Sequence, residues 1–173
     1  MIKRTVMTVF LLALAAVIGF AQGQDKSKRP SPPRTAEGSI DGVKVKIDYS
    51  APSAKGRKML GGIEPFGKVW RTGANEATTF EIDKPIQVEG KTLAAGKYEL
   101  FSIPGETEWT IIFQKATGQW GAYSYKESND VLRVNVKPGK TPAFVETFAI
   151  GVEKDQVTLQ WENTLVAFKV KKG

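Results

Sequence analysis

The chain has 173 residues and a formal net charge of +7, and it contains neither cysteine nor histidine. Without these residues there is no disulfide, no thiolate or imidazole metal site and no Ser-His-Asp triad, which excludes most familiar hydrolases. A catalyst would have to use carboxylates, or a serine or threonine activated by lysine. Calcium-loop and phosphate-binding glycine motifs are also missing from the sequence, so we expect neither a metal nor a cofactor.

Residues 1–21 have the order of a secretory signal peptide. Lys3 and Arg4 precede an apolar run that ends at Phe20, and the small residue Ala21 marks the expected cleavage site. The apolar run is shorter than the roughly 20 residues that a membrane-spanning helix needs, and no cysteine is available for lipid attachment. We therefore predict a secreted or periplasmic protein that keeps no transmembrane segment after cleavage.

Residues 22–37 are predicted to form a disordered basic linker, because QGQDKSKRPSPPRTAE has almost no apolar side chains and contains three prolines. Residues 38–173 are predicted to form one domain, since they are rich in Val, Ile, Phe and Trp and have a common domain size. This domain carries 19 basic and 16 acidic residues. The small excess of positive charge does not indicate a nucleic-acid partner.

The domain alternates apolar and polar residues with a period of two, which is typical of half-buried strands. In GVKVKIDYS, for example, Val43, Val45, Ile47 and Tyr49 share one face. Turn sequences containing glycine, proline or asparagine separate the further predicted strands. These strands are 77–83, 86–88, 97–103, 108–115, 120–125, 131–136, 144–153, 156–162 and 165–171. The pattern predicts an all-β fold, a single antiparallel β-sandwich that is jelly-roll-like.

A long glycine-rich connection, SAPSAKGRKMLGGIEPFG (residues 50–67, here called the flap), follows the first of these strands. Connections of this length in a compact domain are usually functional or disordered. Four apolar residues are available to anchor the flap: Met59, Leu60, Ile63 and Phe66. We therefore predict a long ordered loop that folds onto the sandwich.

The segment WRTGANEAT (residues 70–78) concentrates polar side chains around one glycine. Gly73 or Asn75 is the natural candidate for a left-handed backbone, and an Arg71–Glu76 pair would close the turn. Alternatively, arginine offers a planar donor fork for a carboxylate or phosphate, asparagine offers a donor and an acceptor, and Trp70 offers a stacking face. The sequence is compatible with two interpretations of this segment, a structural corner and a ligand-binding site.

Two sets of residues are candidates for ligand contact. Glu146 joins the first set because it shares the inward parity of its strand with Phe148, where a carboxylate must be protonated, paired or solvated. The candidate ligand-binding residues are Arg57, Trp70, Arg71, Asn75, Glu76, Thr78 and Glu146. The second set is a candidate aromatic platform for sugar rings, made of Trp120, Tyr123 and Tyr125. Trp109 alternates with apolar residues and is predicted to lie in the core.

Three sequence blocks in combination resemble a bacterial family called domain of unknown function 2911. The blocks are Gly56-Arg57, the WRTGANEAT segment and Ala95-Gly96-Lys97-Tyr98. The resemblance covers nearly all of residues 38–173. It implies a secreted or periplasmic β-rich domain, and it brings no established activity, cofactor or catalytic residue with it.

Three functions are open at the level of the sequence. The first is a non-catalytic binding module of the cell envelope, with a glycan, a small anion or an envelope protein as its partner. The second is a carboxylate-dependent hydrolase of a saccharide or cell-wall bond, in which Glu76 and Glu146 act as acid and base and one has a raised pKa. The third is a structural or assembly domain whose sheet edge recruits a partner chain. The missing catalytic residue types favour the first.

Overall fold

The computed structural model describes residues 25–115 and 117–173, so the predicted signal peptide lies outside the described residues. In these residues, ten strands make up two antiparallel sheets that pack on each other, which confirms the predicted all-β sandwich. The strands are β1 (Pro33–Ile40), β2 (Val43–Ser50), β3 (Thr78–Ile82), β4 (Ile86–Val88), β5 (Lys91–Leu93), β6 (Gly96–Ile103), β7 (Trp109–Lys115), β8 (Asp130–Val136), β9 (Gly139–Val152) and β10 (Gln156–Lys172).

The large sheet has the order β1-β2-β3-β6-β7-β8, and the small sheet has the order β5-β4-β10-β9. The β4–β5 hairpin leaves the large sheet after β3 and joins the small one. β10 pairs with β9 from Val157 to Leu165 and with β4 through Val170, Lys171 and Lys172. The two sheets are therefore linked by the chain at more than one place.

The core lies between the two sheets, where the period-two alternation places the apolar side chains. On β2, Val43, Val45 and Ile47 are buried and the intervening lysines are exposed. Phe113 of the large sheet packs edge-on against Phe168 of the small sheet, with ring centroids 6.0 Å apart. Along β2 the sheet thus has one apolar face and one solvated face, as is usual for antiparallel sheets.

The structure corrects the boundary of the predicted linker. Residues 33–37 belong to β1 and pair with β2, although their composition indicated disorder. Backbone pairing with a strand edge needs no apolar side chains, and Ala36 and Ile40 contribute the buried contacts of this strand. Pro33 lies at its first residue, where the missing N–H is tolerated.

Two further differences concern strands. The predicted strand 120–125 consists of turns and one isolated bridge, because Gly121 has a φ of 68° that interrupts extended backbone. The predicted strands 156–162 and 165–171 are one strand, β10, whose register shifts around Glu162. The turn signal at Glu162-Asn163 marks a bulge, with Glu162 at a φ of 53°. β5 was not predicted.

A second, smaller apolar cluster lies on the outer face of the large sheet. Phe101 of β6 and Ile112 of β7 are fully buried there, on the side opposite to the main core. Val69, Ala77 and Tyr125 are among the residues that pack over them. The WRTGANEAT segment and the segment that carries Trp120, Tyr123 and Tyr125 therefore meet on one face of the sandwich. In the described part of the chain, no helix is long and apolar enough to span a bilayer.

Candidate functional site

Trp70 and Thr78 form the buried foundation of the WRTGANEAT segment. The Trp70 indole is buried among aromatic rings of the core, and its Nε1 donates a hydrogen bond to the Gly73 carbonyl oxygen at 2.9 Å. The Thr78 hydroxyl, also buried, donates to the Thr72 carbonyl oxygen at 2.7 Å. Neither side chain is placed to touch a ligand, which corrects two of the sequence-based candidates.

The turn between these anchors has an unusual backbone. Asn75 has a φ of 59°, as the sequence predicted for this residue or Gly73, and Thr72 has a φ of 53°. A β-branched residue is rare at positive φ, and such a conformation costs on the order of 1–3 kcal/mol. The hydroxyl of Thr72 lies 2.9 Å from that of Ser102, which helps to hold it. Strain of this kind clusters at functional sites.

The aromatic platform joins this turn through the backbone. Glu76 and Trp120 form an antiparallel bridge, and the Gly121 N–H donates to the Asn75 carbonyl oxygen at 3.0 Å. Trp120 is 54% exposed and Tyr123 is 85% exposed. The polar and aromatic candidates, predicted separately, therefore form one surface. We call it the corner surface and define it as Arg71, Asn75, Glu76, Trp120 and Tyr123.

Gly121 lies at the centre of the corner surface. A Cβ atom at this position would lie 2.8 Å from the Tyr123 ring and 3.1 Å from Nη1 of Arg71. With its positive φ, this position strongly favours glycine. The absence of a side chain lets the Arg71 guanidinium and the Tyr123 ring approach the same stretch of backbone.

Arg71 does not form the predicted pair with Glu76. Its Nε is buried and has no hydrogen-bond partner among the described residues. Burial raises the pKa of the Glu64 carboxyl in the flap, and the nearby positive charge of Arg71 offsets part of this effect. The guanidinium thus lies between the flap and residues 117–125, here called the aromatic loop, and its Nε makes no hydrogen bond to any described residue.

Glu76 instead binds two cations from the N-terminal tail. Nη1 of Arg29 lies 3.0 Å from Oε1 and 2.9 Å from Oε2, and Nζ of Lys26 lies 3.0 Å from Oε1. Burial acts to raise the pKa of Glu76, but hydrogen bonds from its own backbone N–H, Lys26 and Arg29 together lower it to about 2. The carboxylate is ionised at neutral pH, the opposite of what a general acid requires.

Arg57 and Glu146 lie apart from the corner surface and fix the start of the flap. Arg57 donates from Nε to the Ala54 carbonyl oxygen at 2.9 Å and from Nη2 to that of Ser53 at 2.8 Å. Glu146 is exposed on β9 and accepts a hydrogen bond from the Lys55 N–H at 2.6 Å. Both therefore stabilise a turn, and neither is brought to the other candidates.

The flap is ordered, as predicted, but only half of its expected anchors are buried. Met59 and Leu60 are in the core, and their N–H groups donate to the two carboxylate oxygens of Glu162, each at 2.9 Å. Ile63 and Phe66 are partly exposed. The middle of the flap is thus held by burial of Met59 and Leu60 and by the carboxylate at the bulge of β10.

Glu99 is an important residue that the sequence analysis missed. It is almost fully buried on the outer face of β6, and it accepts hydrogen bonds from the backbone N–H groups of Thr117 and Gln119 and from both of their side chains. Gln119 in turn donates to Gln114 of β7 at 3.1 Å. The alternation of apolar and polar residues in β6 predicts that Glu99 faces solvent. The sequence around Glu99 gives no sign that a loop covers this side chain.

Tyr125 belongs to the packing of this loop and not to the exposed platform. Its ring packs edge-on against Phe101, and its hydroxyl donates to Oδ2 of Asp130 at 2.7 Å. Burial, followed by the hydrogen bond to Asp130, raises the pKa of Tyr125. The exposed platform therefore consists of Trp120 and Tyr123.

Within the described ranges, no group of three or more Asp, Glu, His or Cys side chains is placed to hold a metal ion. The family model described as "Protein of unknown function (DUF2911)" matches residues 31–170. This range begins just before β1 and ends within β10. No curated protein and no solved structure matches the chain.

Proposed function

The chain belongs to the DUF2911 family, and from that premise we propose that it is a non-catalytic ligand-binding module of the cell envelope with the corner surface as its binding face. The observation that carries the proposal is the juxtaposition of two exposed aromatic rings, Trp120 and Tyr123, with the guanidinium of Arg71. The predicted signal peptide supports a place outside the cytoplasm.

The corner surface offers two complementary kinds of contact. The faces of Trp120 and Tyr123 can stack on a sugar ring or an apolar group, and the guanidinium of Arg71 can donate to a carboxylate, phosphate or carbonyl oxygen. The Nε of Arg71 is closed to solvent, so a ligand acceptor would reach this guanidinium through its Nη atoms.

The aromatic loop is held in place before any ligand arrives. Four hydrogen bonds from Thr117 and Gln119 to Glu99, together with the backbone bridge to Glu76, fix the base of the loop. Preorganisation reduces the entropy that a binding event must overcome. The lowered pKa of Glu76 gives the hydrolase alternative no support, so we do not propose it.

Binding should be tested with a panel of glycans, peptidoglycan fragments, small anions and envelope peptides. We expect Trp120→Ala to lower the affinity for the bound probe by 1–3 kcal/mol, the approximate size of one aromatic contact. Phe144→Ala is the matched control, because Phe144 on β9 is equally exposed at 54%. Equal losses in both variants, or no binding by any probe, would contradict the proposal.

A second measurement separates a binding site from a structural corner. Arg71→Met keeps most of the side-chain volume and removes the unpartnered donors, so we expect the melting temperature to stay unchanged or rise. A fall of several degrees would indicate that Arg71 stabilises the fold through contacts of its own, and the corner surface would then be structural.

A further inference from the structure

The N-terminal tail (residues 25–32) lies on the corner surface. Residues Lys26–Lys28 form a single 3-10 turn, and the next residue, Arg29, places its guanidinium on both oxygens of Glu76. The same guanidinium lies over the Trp120 ring, 5.7 Å from its centroid. Arg29 thus uses a carboxylate and an aromatic face at once, a combination that favours a cation.

The corner surface and the start of the flap also bind the main chain of the tail. Nδ2 of Asn75 donates to the Ser31 carbonyl oxygen at 3.0 Å, and the Ala51 N–H donates to the Pro32 carbonyl oxygen at 2.9 Å. Arg29 itself has φ and ψ of −68° and 148°, the values of a polyproline II helix, and RPSPP continues from it. This arrangement is that of an extended, proline-rich peptide bound to a surface.

We propose that the corner surface is a binding site for an extended basic peptide in which an arginine precedes a proline. In the structure, the tail of the same chain is bound at this site. This inference rests on the proposed function and names the ligand class of the same site. Among ligands that Trp120 could stack, a peptide of this kind matches the negative charge of Glu76, and one of its carbonyl oxygens accepts a hydrogen bond from Asn75.

The ion pairs between the tail and Glu76 are partly open to solvent. The side chains of Lys26 and Glu76 are 58% and 40% exposed, whereas that of Arg29 is 20% exposed. Screening by solvent weakens such pairs, so a second cationic peptide can compete for the carboxylate. The tail is covalently attached, however, and therefore has an effective concentration in the millimolar range. A free peptide must compete with it, and weakening the tail should open the site.

Trp120 reports directly on the state of the site. The other three tryptophans, Trp70, Trp109 and Trp161, are buried in the core, so acrylamide quenching of the fluorescence measures mainly Trp120. In the full chain, we expect Lys26→Ala/Arg29→Ala to increase quenching. Lys28→Ala/Arg34→Ala removes the same charges from residues that do not touch Glu76, and it should leave quenching at the wild-type level.

The decisive probe is a synthetic peptide with the sequence of residues 25–34, DKSKRPSPPR. We expect it to bind the Lys26→Ala/Arg29→Ala variant at least about 10-fold more tightly than wild type, because the tail no longer competes, and to restore protection of Trp120. A peptide with alanine in place of its arginine at the Arg29 position should not bind. Equal binding of the two peptides, or no binding of the first, would overturn the inference.

The two proposals fail in different ways. If a glycan or a small anion binds in a manner that depends on Trp120 while the basic peptide does not, the ligand class is wrong and the proposed function stands. If neither the peptide nor any other probe loses affinity in Trp120→Ala, both fail. Circular dichroism melting of each variant confirms that the comparison is made between folded proteins.

Discussion

The indole of Trp70 stacks on the indole of Trp161, with ring centroids 5.6 Å apart and planes inclined by 15°. This contact anchors the start of the WRTGANEAT segment to β10. Trp70→Ala should lower the free energy of unfolding by about 3–5 kcal/mol, because it removes a large buried ring. Denaturant unfolding measures the loss. Trp70→Phe should cost less, and equal costs would show that ring stacking contributes little.

The carboxylate of Glu99 should be required for the shape of the aromatic loop. Glu99→Gln places an amide NH₂ against neighbouring donors, so we expect the free energy of unfolding to fall by about 1–3 kcal/mol. Acrylamide should then quench Trp120 more strongly. Glu81→Gln on the exposed face of β3 is the control and should change neither quantity. Unchanged quenching in Glu99→Gln would mean that other contacts define the loop.

Glu162 should control the mobility of the flap. Glu162→Ala leaves the N–H groups of Met59 and Leu60 without their acceptors, at a cost of about 1–3 kcal/mol. Limited trypsin digestion measures the effect, because the flap exposes Lys55, Arg57 and Lys58. Cleavage there should accelerate in Glu162→Ala and not in Glu153→Ala, a carboxylate at the β9–β10 turn. Equal rates would contradict the role of Glu162.

Because Glu64 is partly buried, we expect its contribution to stability to depend on pH. The folded-state pKa of Glu64 is raised above the ordinary value of 4.5. The protonated carboxyl therefore stabilises the fold below pH 4.5, and this stabilisation is lost as the pH rises through the folded pKa. Glu64→Gln should therefore raise the melting temperature at pH 7 and match wild type at pH 3. Glu106→Gln is the exposed control. A lower melting temperature at pH 7 would show that attraction to Arg71 dominates.

Glu76 predicts the opposite pH dependence for docking of the tail. Its pKa is lowered from 4.5 to about 2, so its stabilising contribution is complete above pH 4.5 and is lost as the pH falls through about 2. Acrylamide, which is neutral, should quench Trp120 increasingly from pH 4.5 to pH 2. In Glu76→Gln, quenching should be high at every pH in this range. If quenching in that variant still depended on pH, Glu76 would not be the group that controls docking of the tail.

The parts of the fold that follow from side-chain periodicity were predicted well from the sequence. The alternation in β2 identified its buried face, the strand 86–88 has the predicted bounds, and Trp109 is in the core as expected. Each of these features depends on residues that are close together in the chain, so the local pattern of apolar and polar residues is enough to predict it.

The composition of the corner surface was not predictable in the same way. The WRTGANEAT segment and Trp120 are joined by a backbone bridge, which any sequence could make, so no side-chain pattern indicates it. Burial of Glu99 depends on the same distant loop. The tail likewise binds through Arg29 and main-chain carbonyl oxygens, while its composition alone indicates disorder.

The central position of β10 in the small sheet has a consequence for the order of folding. All six strands of the large sheet precede β9 and β10 in the chain, whereas β4 has no partner on one side until β10 has been synthesised. The apolar face of the large sheet must therefore wait for the last strands to cover it. Pairing between such distant segments is slow, and we expect a folding intermediate that exposes this face and requires protection from aggregation.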